Sequence, residues 1–439
     1  MDGLCFSNHT PTPGLTEFKK VIEPVRSWLT DGKLVLDNGY DFITLKHLTA
    51  TFKLEEFGSS KNIVLTGSLD IPEILPGTEG TIDLPSKIFD NPTATERWLT
   101  VTYRQSCSTS WSEAGHEIAW MQAKIGSSDA RLDPNSSPSD FTDLFVQSSK
   151  LQYNVLTHNS RFTFDRVHGS LTSWTSNGKS LFEADPITGS ALTPSFWRAP
   201  TDNDMPGDYP LWQRYGLDTM SSQLRSFDHK LESGVLEIKI VTYLSPPILG
   251  WGFTATTKYL ISPAGKLTVK VHVEPLGPAP PTLPRIGLNV RLNNALDAAS
   301  WLGLGPGESY PDKRSSQKRG IYSLPLARLQ TPYDVPQENG NRTETSWCKM
   351  LDDHGHGIQV RFSSKTEDRF HWVASRHSAE TLTKAKHPID LTEEKAVLWR
   401  LDAETAGVGS AACGPGVKDE FQVKCRETEF AFQFETIHG

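Results

Sequence analysis

The sequence predicts an all-β fold built from antiparallel sandwiches, on three observations. Strand patterns recur at short intervals along the 439 residues. Glycine and proline, 33 and 29 residues respectively, separate these patterns as turn formers. Helical periodicity is confined to single turns, so the chain lacks the crossover helices that parallel sheets require. We therefore expect antiparallel sheets in two successive groups of strands.

The first group of strands occupies residues 22–125. The dipeptide Asn38-Gly39 predicts a hairpin turn between the first two strands. Seven short strands within about 100 residues are typical of an immunoglobulin-like β-sandwich. The predicted strands are 33–36, 42–45, 48–54, 63–69, 80–84, 98–104 and 117–124.

The second group occupies residues 150–439 and contains longer strands. Residues 126–149 precede it and are rich in Ser, Pro and Asp, which predicts a linker. In the predicted strand 266–273, every second residue from Leu267 is apolar and faces one side. Ser378 is predicted to cap a single helical turn. This group is predicted to form a large antiparallel sandwich.

Composition excludes several classes of protein. The net charge of −8 and pI of about 5.9 show no basic footprint for nucleic acid or an anionic membrane. No apolar run is long enough for a transmembrane helix, and the first residues lack the features of a secretory signal. The five cysteines form no C-x-x-C pair, so we expect free thiols and a cytoplasmic location.

Two acidic motifs each allow two interpretations. Asp202 and Asp204 are either paired carboxylates for acid–base chemistry or cation binding, or loop residues that bond their own backbone. The motif 352–357, Asp-Asp-His-Gly-His-Gly, is either a metal site or a hairpin turn between two strands. We favour the loop and the hairpin, because closely spaced acidic residues are common in turns.

A third motif, residues 301–312, is rich in glycine. It is superficially similar to a dinucleotide-binding fingerprint, but Pro306 and Pro311 prevent the helix that such a site needs. We expect a mobile loop that approaches a ligand, with glycines that allow positive φ. The twelve tryptophans and ten tyrosines are explained either by core packing, which we favour, or by stacking on a carbohydrate.

Taken together, the motifs resemble the C-terminal part of a long-form β-galactosidase of glycoside hydrolase family 2. The resemblance implies that residues 1–21 are a remnant of the catalytic TIM barrel and that 22–125 are the second immunoglobulin-like domain. It also implies that 150–439 are the small chain domain, which is similar to the galactose-mutarotase supersandwich. The matching segments are 1–6, 10–13, 15–20, 111–122, 198–204, 283–288, 301–312, 336–340 and 375–376.

The resemblance implies a chain that supports and edges the active site of an enzyme hydrolysing terminal non-reducing β-D-galactose residues. Both catalytic glutamates of the family lie upstream of the matched segments, so no catalytic residue is assigned and the chain is predicted to be inactive alone. Its expected partners are a β-galactoside, a catalytic large chain or missing N-terminal region, and further copies of itself. The alternative is a stand-alone carbohydrate-binding or structural module.

Several individual residues match functional positions of the family. The implied substrate-edge residues are Phe6, Gly305, Pro306, Glu308 and Cys413. The segment from Gly305 resembles a loop that closes towards the galactose site, and Cys413 lies where some members place a stacking Trp. For the complete enzyme the resemblance implies Na and Mg, with Asp2, Phe6 and Asn8 as candidate ligands. Asp2 replaces an Asn of the family's magnesium site.

Overall fold

The computed structural model of the protein describes residues 4–58, 60–90, 96–126, 144–363 and 369–439. Strands dominate it and pair antiparallel, which confirms the predicted all-β class. The helices are α1 (Pro13–Val21), α2 (Tyr209–Arg214) and α3 (Ala379–Lys384). The strands are β1 (Val25–Thr30), β2 (Lys33–Asn38), β3 (Leu48–Phe57), β4 (Lys61–Leu69), β5 (Glu79–Asp83), β6 (Glu96–Gln105), β7 (Glu117–Ile125), β8 (Phe145–Ser148), β9 (Gln152–Leu156), β10 (Ser160–Asp165), β11 (Ser170–Ser176), β12 (Lys179–Phe182), β13 (Leu192–Ser195), β14 (Ser221–Glu232), β15 (Val235–Ser245), β16 (Gly252–Ile261), β17 (Leu267–Leu276), β18 (Thr282–Leu283), β19 (Arg285–Leu292), β20 (Ala298–Gly305), β21 (Lys318–Pro325), β22 (Arg342–Thr345), β23 (Trp347–Leu351), β24 (Gly357–Ser363), β25 (Phe370–Ser375), β26 (Val397–Thr405), β27 (Val423–Lys424) and β28 (Thr428–Ile437).

The chain divides into two compact units, of which the smaller comprises residues 14–136 and 318–321. Its strands form a three-stranded sheet, β1-β2-β5, and a four-stranded sheet, β4-β3-β6-β7. Buried apolar side chains from both sheets, such as Leu36 and Leu54, share one core. This is the immunoglobulin-like sandwich that the spacing of the strands predicts.

The first hairpin of this sandwich differs from the predicted one. Strand β1, which the sequence reasoning missed, pairs with β2 through a turn at Asp31 and Gly32, whose φ angles of 50° and 75° suit a two-residue hairpin. Asn38 is fully buried, and its side-chain amide donates to the carbonyls of Ile43 and Ile74 at 3.0 Å each. Because this amide holds the following segment in a loop, the predicted strand at 42–45 is wrong.

The larger unit comprises residues 1–13, 137–317 and 322–439. One of its sheets has the order β22-β25-β26-β19-β12-β11-β10-β9-β8, with β13 also paired to β19. The other has the order β14-β15-β16-β17-β28-β24-β23-β20-β21, and β18 and β27 form a short ribbon. On β17, Leu267, Val269, Val271 and Val273 are fully buried, as their alternation predicts. These two large sheets supply one continuous apolar core.

Several local features add to or correct the sequence reasoning. Residues 145–148 were predicted to end a linker, but they form β8, which pairs with β9; residues 127–143 lie outside the described residues. All four β8 residues are exposed, so no apolar alternation marked the strand. The helix α1 was also missed, although Pro13 suits its first position. The predicted cap is confirmed, because Ser378 Oγ accepts the Thr381 amide at 3.1 Å.

Candidate functional site

The centre of the candidate site is a buried carboxylate, Glu308, which follows β20. Its side chain accepts hydrogen bonds from Lys313 Nζ at 2.7 Å and Thr331 Oγ1 at 2.7 Å. It also accepts bonds from the Tyr333 hydroxyl at 2.6 Å and the Gly340 amide at 3.0 Å. Only 4% of Glu308 is exposed, so it does not present its carboxylate to solvent. Glu308 therefore joins three separate stretches of the larger unit.

The surroundings of Glu308 fix its charge. Burial by itself raises the pKa of a carboxyl group, but the Lys313 ammonium and the hydrogen bonds lower the pKa of Glu308 to about 2. Burial and the adjacent Glu308 charge raise the pKa of Tyr333, which keeps its hydroxyl a hydrogen-bond donor. Glu308 is consequently ionised at physiological pH.

The turn around Phe6 lies against this centre. The Phe6 ring packs on the Tyr333 ring with centroids 5.9 Å apart. Within the turn, the Phe6 amide donates to the Thr10 carbonyl and the His9 amide donates to the Phe6 carbonyl, both at 2.9 Å. The side-chain oxygen of Asn8 accepts both the amide of Thr10, at 3.0 Å, and its hydroxyl, at 2.6 Å. The turn is therefore a small internally bonded unit.

The candidate cation ligands do not make a site by themselves. Asp2 lies outside the described residues. The Phe6 carbonyl and the Asn8 side-chain oxygen already accept the hydrogen bonds just described. Within the described parts of the chain, no cluster of three or more His, Cys, Asp or Glu side chains is placed to hold a metal ion. The donor set present here thus fits neither Na nor Mg without ligands from elsewhere.

The segment around Gly305 and Pro306 is packed more tightly than expected for a mobile loop. Gly305 ends β20 without a positive φ, and a Cβ placed on it would lie 2.7 Å from Tyr322 Cδ2. The requirement for glycine is therefore close approach, which corrects the expectation of positive φ. The Pro306 carbonyl accepts a hydrogen bond from Arg342 Nη2 at 3.1 Å, and the Arg342 guanidinium lies over the Trp301 ring.

The Cys413 segment is attached to the same region by two side chains. Asp312 accepts the amides of Val408 at 2.9 Å and Gly409 at 2.7 Å. Asn203 donates to the Gly409 carbonyl and accepts the amide of residue 412. Cys413 itself is exposed on this segment. The five predicted substrate-edge residues are thereby brought into one connected part of the larger unit, and their contact with a substrate stays a prediction.

The acidic loop near Asn203 is structural. Asp204 is buried, forms an ion pair with Arg198 at 2.7 Å and accepts the Thr201 amide at 2.7 Å. Asp202 instead bonds the side chain of Gln337 at 3.0 Å. Because each carboxylate has its own partners, the pair does not form an acid–base couple, and the loop interpretation agrees with the structure.

The other acidic motif forms the favoured hairpin. Strands β23 and β24 pair antiparallel up to Leu351 and Gly357. Between them, Asp352 Oδ1 accepts the amides of His354 at 2.9 Å and His356 at 2.8 Å. Burial raises the pKa of Asp352, but these bonds and the Lys179 ammonium together lower it to about 2. The motif is a turn stabilised by its own carboxylate.

The sequence reasoning missed the buried ion pairs behind the site. Arg400 Nη1 donates to Glu338 Oε2 at 2.6 Å, and the Tyr310 hydroxyl donates to the same carboxylate. Arg285 Nε donates to Asp402 at 2.6 Å, with both side chains fully buried. Arg285 and Asp402 lie on β19 and β26, and Glu338 lies in a loop 62 positions before Arg400, so no local pattern indicated these pairs. No helix in the described parts of the chain is long and apolar enough to cross a membrane.

Comparison with known families and proteins gives consistent matches along the chain. The family model described as "Beta galactosidase small chain" matches residues 157–435, and "Beta-galactosidase, domain 4" matches 34–126. The chain is 31% identical to a beta-galactosidase of Kluyveromyces lactis, covering 98% of this chain and 39% of that protein. It is 28% identical to a beta-galactosidase of Actinobacillus pleuropneumoniae, covering 100% of this chain and 41% of that protein. The chain thus spans about two fifths of these relatives.

The chain also aligns with solved structures. A galactose mutarotase related enzyme from Lactobacillus acidophilus aligns with a TM-score of 0.35 and 8% identity, covering 66% of this chain and 98% of that one. An aldose epimerase homologue from C. elegans aligns with a TM-score of 0.35 and 10% identity, covering 67% of this chain and 99% of that one.

Proposed function

Because the chain belongs to the beta-galactosidase small chain family, we propose that it completes an enzyme that hydrolyses terminal non-reducing β-D-galactose residues. The chain corresponds to the C-terminal part of longer relatives. In this proposal it supports and edges an active site whose catalytic glutamates lie in a region or large chain outside it. A β-galactoside is the substrate, and the enzyme works in the cytoplasm, as an oligomer of identical units.

The contact between the Phe6 turn and Tyr333 carries this proposal. It attaches a segment that resembles the end of the catalytic barrel to the interior of the small chain domain, since Tyr333 is bonded to buried Glu308. The Gly305 and Cys413 segments belong to the same connected region. The chain can therefore present a fixed edge to a catalytic centre, against which a sugar is oriented and water is excluded.

The carboxylates of the described residues support a non-catalytic role for this chain. Retaining hydrolysis needs one carboxyl group as acid and another as nucleophile, about 5–5.5 Å apart. The buried carboxylates of the larger unit are instead engaged by cationic partners: Asp204 by Arg198, Glu308 by Lys313, Glu338 by Arg400 and Asp402 by Arg285. We accordingly propose that the chain alone is inactive.

Domain boundaries and cations form part of the same proposal. Residues 1–21 would end the catalytic barrel, 22–125 would be the immunoglobulin-like domain, and the small chain domain would begin at β8, a little before residue 150. The Phe6 carbonyl would contribute one ligand to a Na site, and Asp2 one ligand to a Mg site. The remaining ligands of both cations would come from the catalytic region.

Complementation tests the proposal. The chain is assayed with a chromogenic aryl β-galactoside, alone and mixed with the N-terminal three fifths of the Kluyveromyces lactis relative. We expect no hydrolysis by the chain alone and recovery of hydrolysis in the mixture. A chain lacking residues 1–13 is the matched control and should complement poorly. Hydrolysis by the chain alone, after removal of host galactosidase, would refute the proposal.

The same samples test the alternative of a stand-alone carbohydrate-binding module. Calorimetric titration with a galactoside would then show binding by the chain alone, and the mixture would remain inactive. That combination of results would show that the chain is a carbohydrate-binding module and not part of an enzyme.

A further inference from the structure

Phe6 is the main anchor of its turn among the described residues Leu4–Pro11. It is half-buried, whereas the other residues of this stretch are exposed. The remaining bonds of the stretch are local: Cys5 pairs with Pro11, and the Leu4 carbonyl accepts the amide and hydroxyl of Thr12. Ser7 makes two outside contacts, both with the carboxylate of half-buried Asp334, and at 3.3 and 3.4 Å they are long for hydrogen bonds. The position of the turn therefore depends chiefly on the Phe6 ring.

Tyr333 is the residue against which that ring packs. Its hydroxyl donates to Glu308 at 2.6 Å, which is the short, strong bond expected with a charged acceptor. Glu308 in turn is held by Lys313 and the Gly340 amide. The tyrosine ring is thus fixed at one end by the buried carboxylate while it packs, tilted, against the Phe6 ring.

We propose that Tyr333 is a positioning residue: Glu308 holds its hydroxyl, and its ring sets the position of the Phe6 turn at the edge of the catalytic site. This inference rests on the proposed function and assigns Glu308 a different task from the predicted one. Glu308 does not contact the substrate; it orients the substrate edge through Tyr333. Because the turn is internally bonded, a displacement of the Phe6 ring moves the Phe6 carbonyl with it.

Hydrogen exchange on the 439-residue chain tests the docking of the turn directly, without any activity. In Tyr333→Ala, we expect the Phe6 and His9 amides to exchange about tenfold faster than in the wild type, because the turn loses its anchor. Tyr333→Phe should give an intermediate rate, since the ring remains but its bond to Glu308 is lost. Thr331→Val removes a different donor to Glu308 and should leave both rates unchanged.

Two further measurements keep this test decisive. Exchange within β17 must stay at the wild-type rate, which shows that the variant is folded. If Tyr333→Ala disrupts β17, the reciprocal Phe6→Ala is used, and exchange at Tyr333 and Asp334 should then accelerate. Equal exchange of the turn in the wild type and in a folded Tyr333→Ala chain would overturn the proposal, as would equal effects of Tyr333→Ala and Thr331→Val.

Kinetics of the complemented enzyme test the positioning role. Tyr333→Ala should raise KM for the aryl galactoside about tenfold with a smaller change in kcat, and Tyr333→Phe should restore part of the loss. An unchanged KM would overturn the positioning role. If the wild-type mixture itself is inactive, the proposed function has failed, whereas the exchange experiment still decides whether Tyr333 anchors the turn.

Discussion

Replacing Glu308 by Gln should destabilise the larger unit strongly and in a pH-dependent way. The substitution keeps the size of the side chain but removes the charge to which Lys313, Thr331, Tyr333 and the Gly340 amide donate. Glutamine keeps only one acceptor oxygen, so two of these four donors would face its NH2 group, which is itself a donor. The ammonium of Lys313, which is mostly buried, would lose its counter-ion.

The structure sets the size of this effect. A pKa of about 2 in the folded chain, against 4.5 ordinarily, corresponds to about 3 kcal/mol of stability at pH 7. Because the folded-state pKa is lowered, this stability is fully present above pH 4.5 and is lost as the pH falls towards 2. About half of it should remain at pH 3.

Urea unfolding of wild type and Glu308→Gln, measured at pH 7 and again near pH 3, checks this value. The two units need not unfold together and both contain tryptophan, so the transition of the larger unit is followed by hydrogen exchange of the β17 amides, whose residues lie in its core. The free-energy difference between the two proteins should shrink at the lower pH. Other carboxylates titrate in both proteins and cancel in this difference.

Glu232→Gln serves as the control, because Glu232 is exposed on β14 in the same unit. It should leave the unfolding midpoint unchanged at both pH values. A Glu308→Gln effect below about 1 kcal/mol, or one that does not depend on pH, would refute the assignment of Glu308 as a buried, permanently ionised support.

Three further substitutions probe other parts of the structure. Gly305→Ala forces a Cβ to within 2.7 Å of the Tyr322 ring. In the complemented enzyme we therefore expect roughly fivefold changes in KM and kcat, in opposite senses. Unchanged steady-state kinetics would contradict this expectation. Gly32→Ala, at a φ of 75°, should cost the smaller unit about 1 kcal/mol, measured by thermal unfolding. Arg285→Met should cost the larger unit about 3–5 kcal/mol in urea unfolding, because it leaves the Asp402 carboxylate buried without its cation.

Local patterns predicted much of the fold, because strands and turns leave short-range signals. Alternation at Leu267 and the residues after it marked a strand with one buried face. The favoured hairpin at 352–357 and the cap at Ser378 depend on bonds between residues only two to four positions apart, and the structure contains both. Local patterns failed where two signals competed. Asn38-Gly39 is a standard hairpin dipeptide, but the buried Asn38 side-chain amide donates to the carbonyls of Ile43 and Ile74 instead.

The candidate site, unlike the strands and turns, could not be predicted from local patterns. The sequence alone, through its resemblance to a family, identified Phe6, Gly305, Glu308 and Cys413 as candidate site residues. Its strand pattern determined the all-β class. Only the tertiary structure decided which groups surround these residues, since residues such as Ser7 and Asp334 meet across 327 positions. A carboxylate's role depends on its neighbours: the cation and donors around Glu308 keep it charged and buried. Such neighbours come from distant strands, and no local period in the sequence records them.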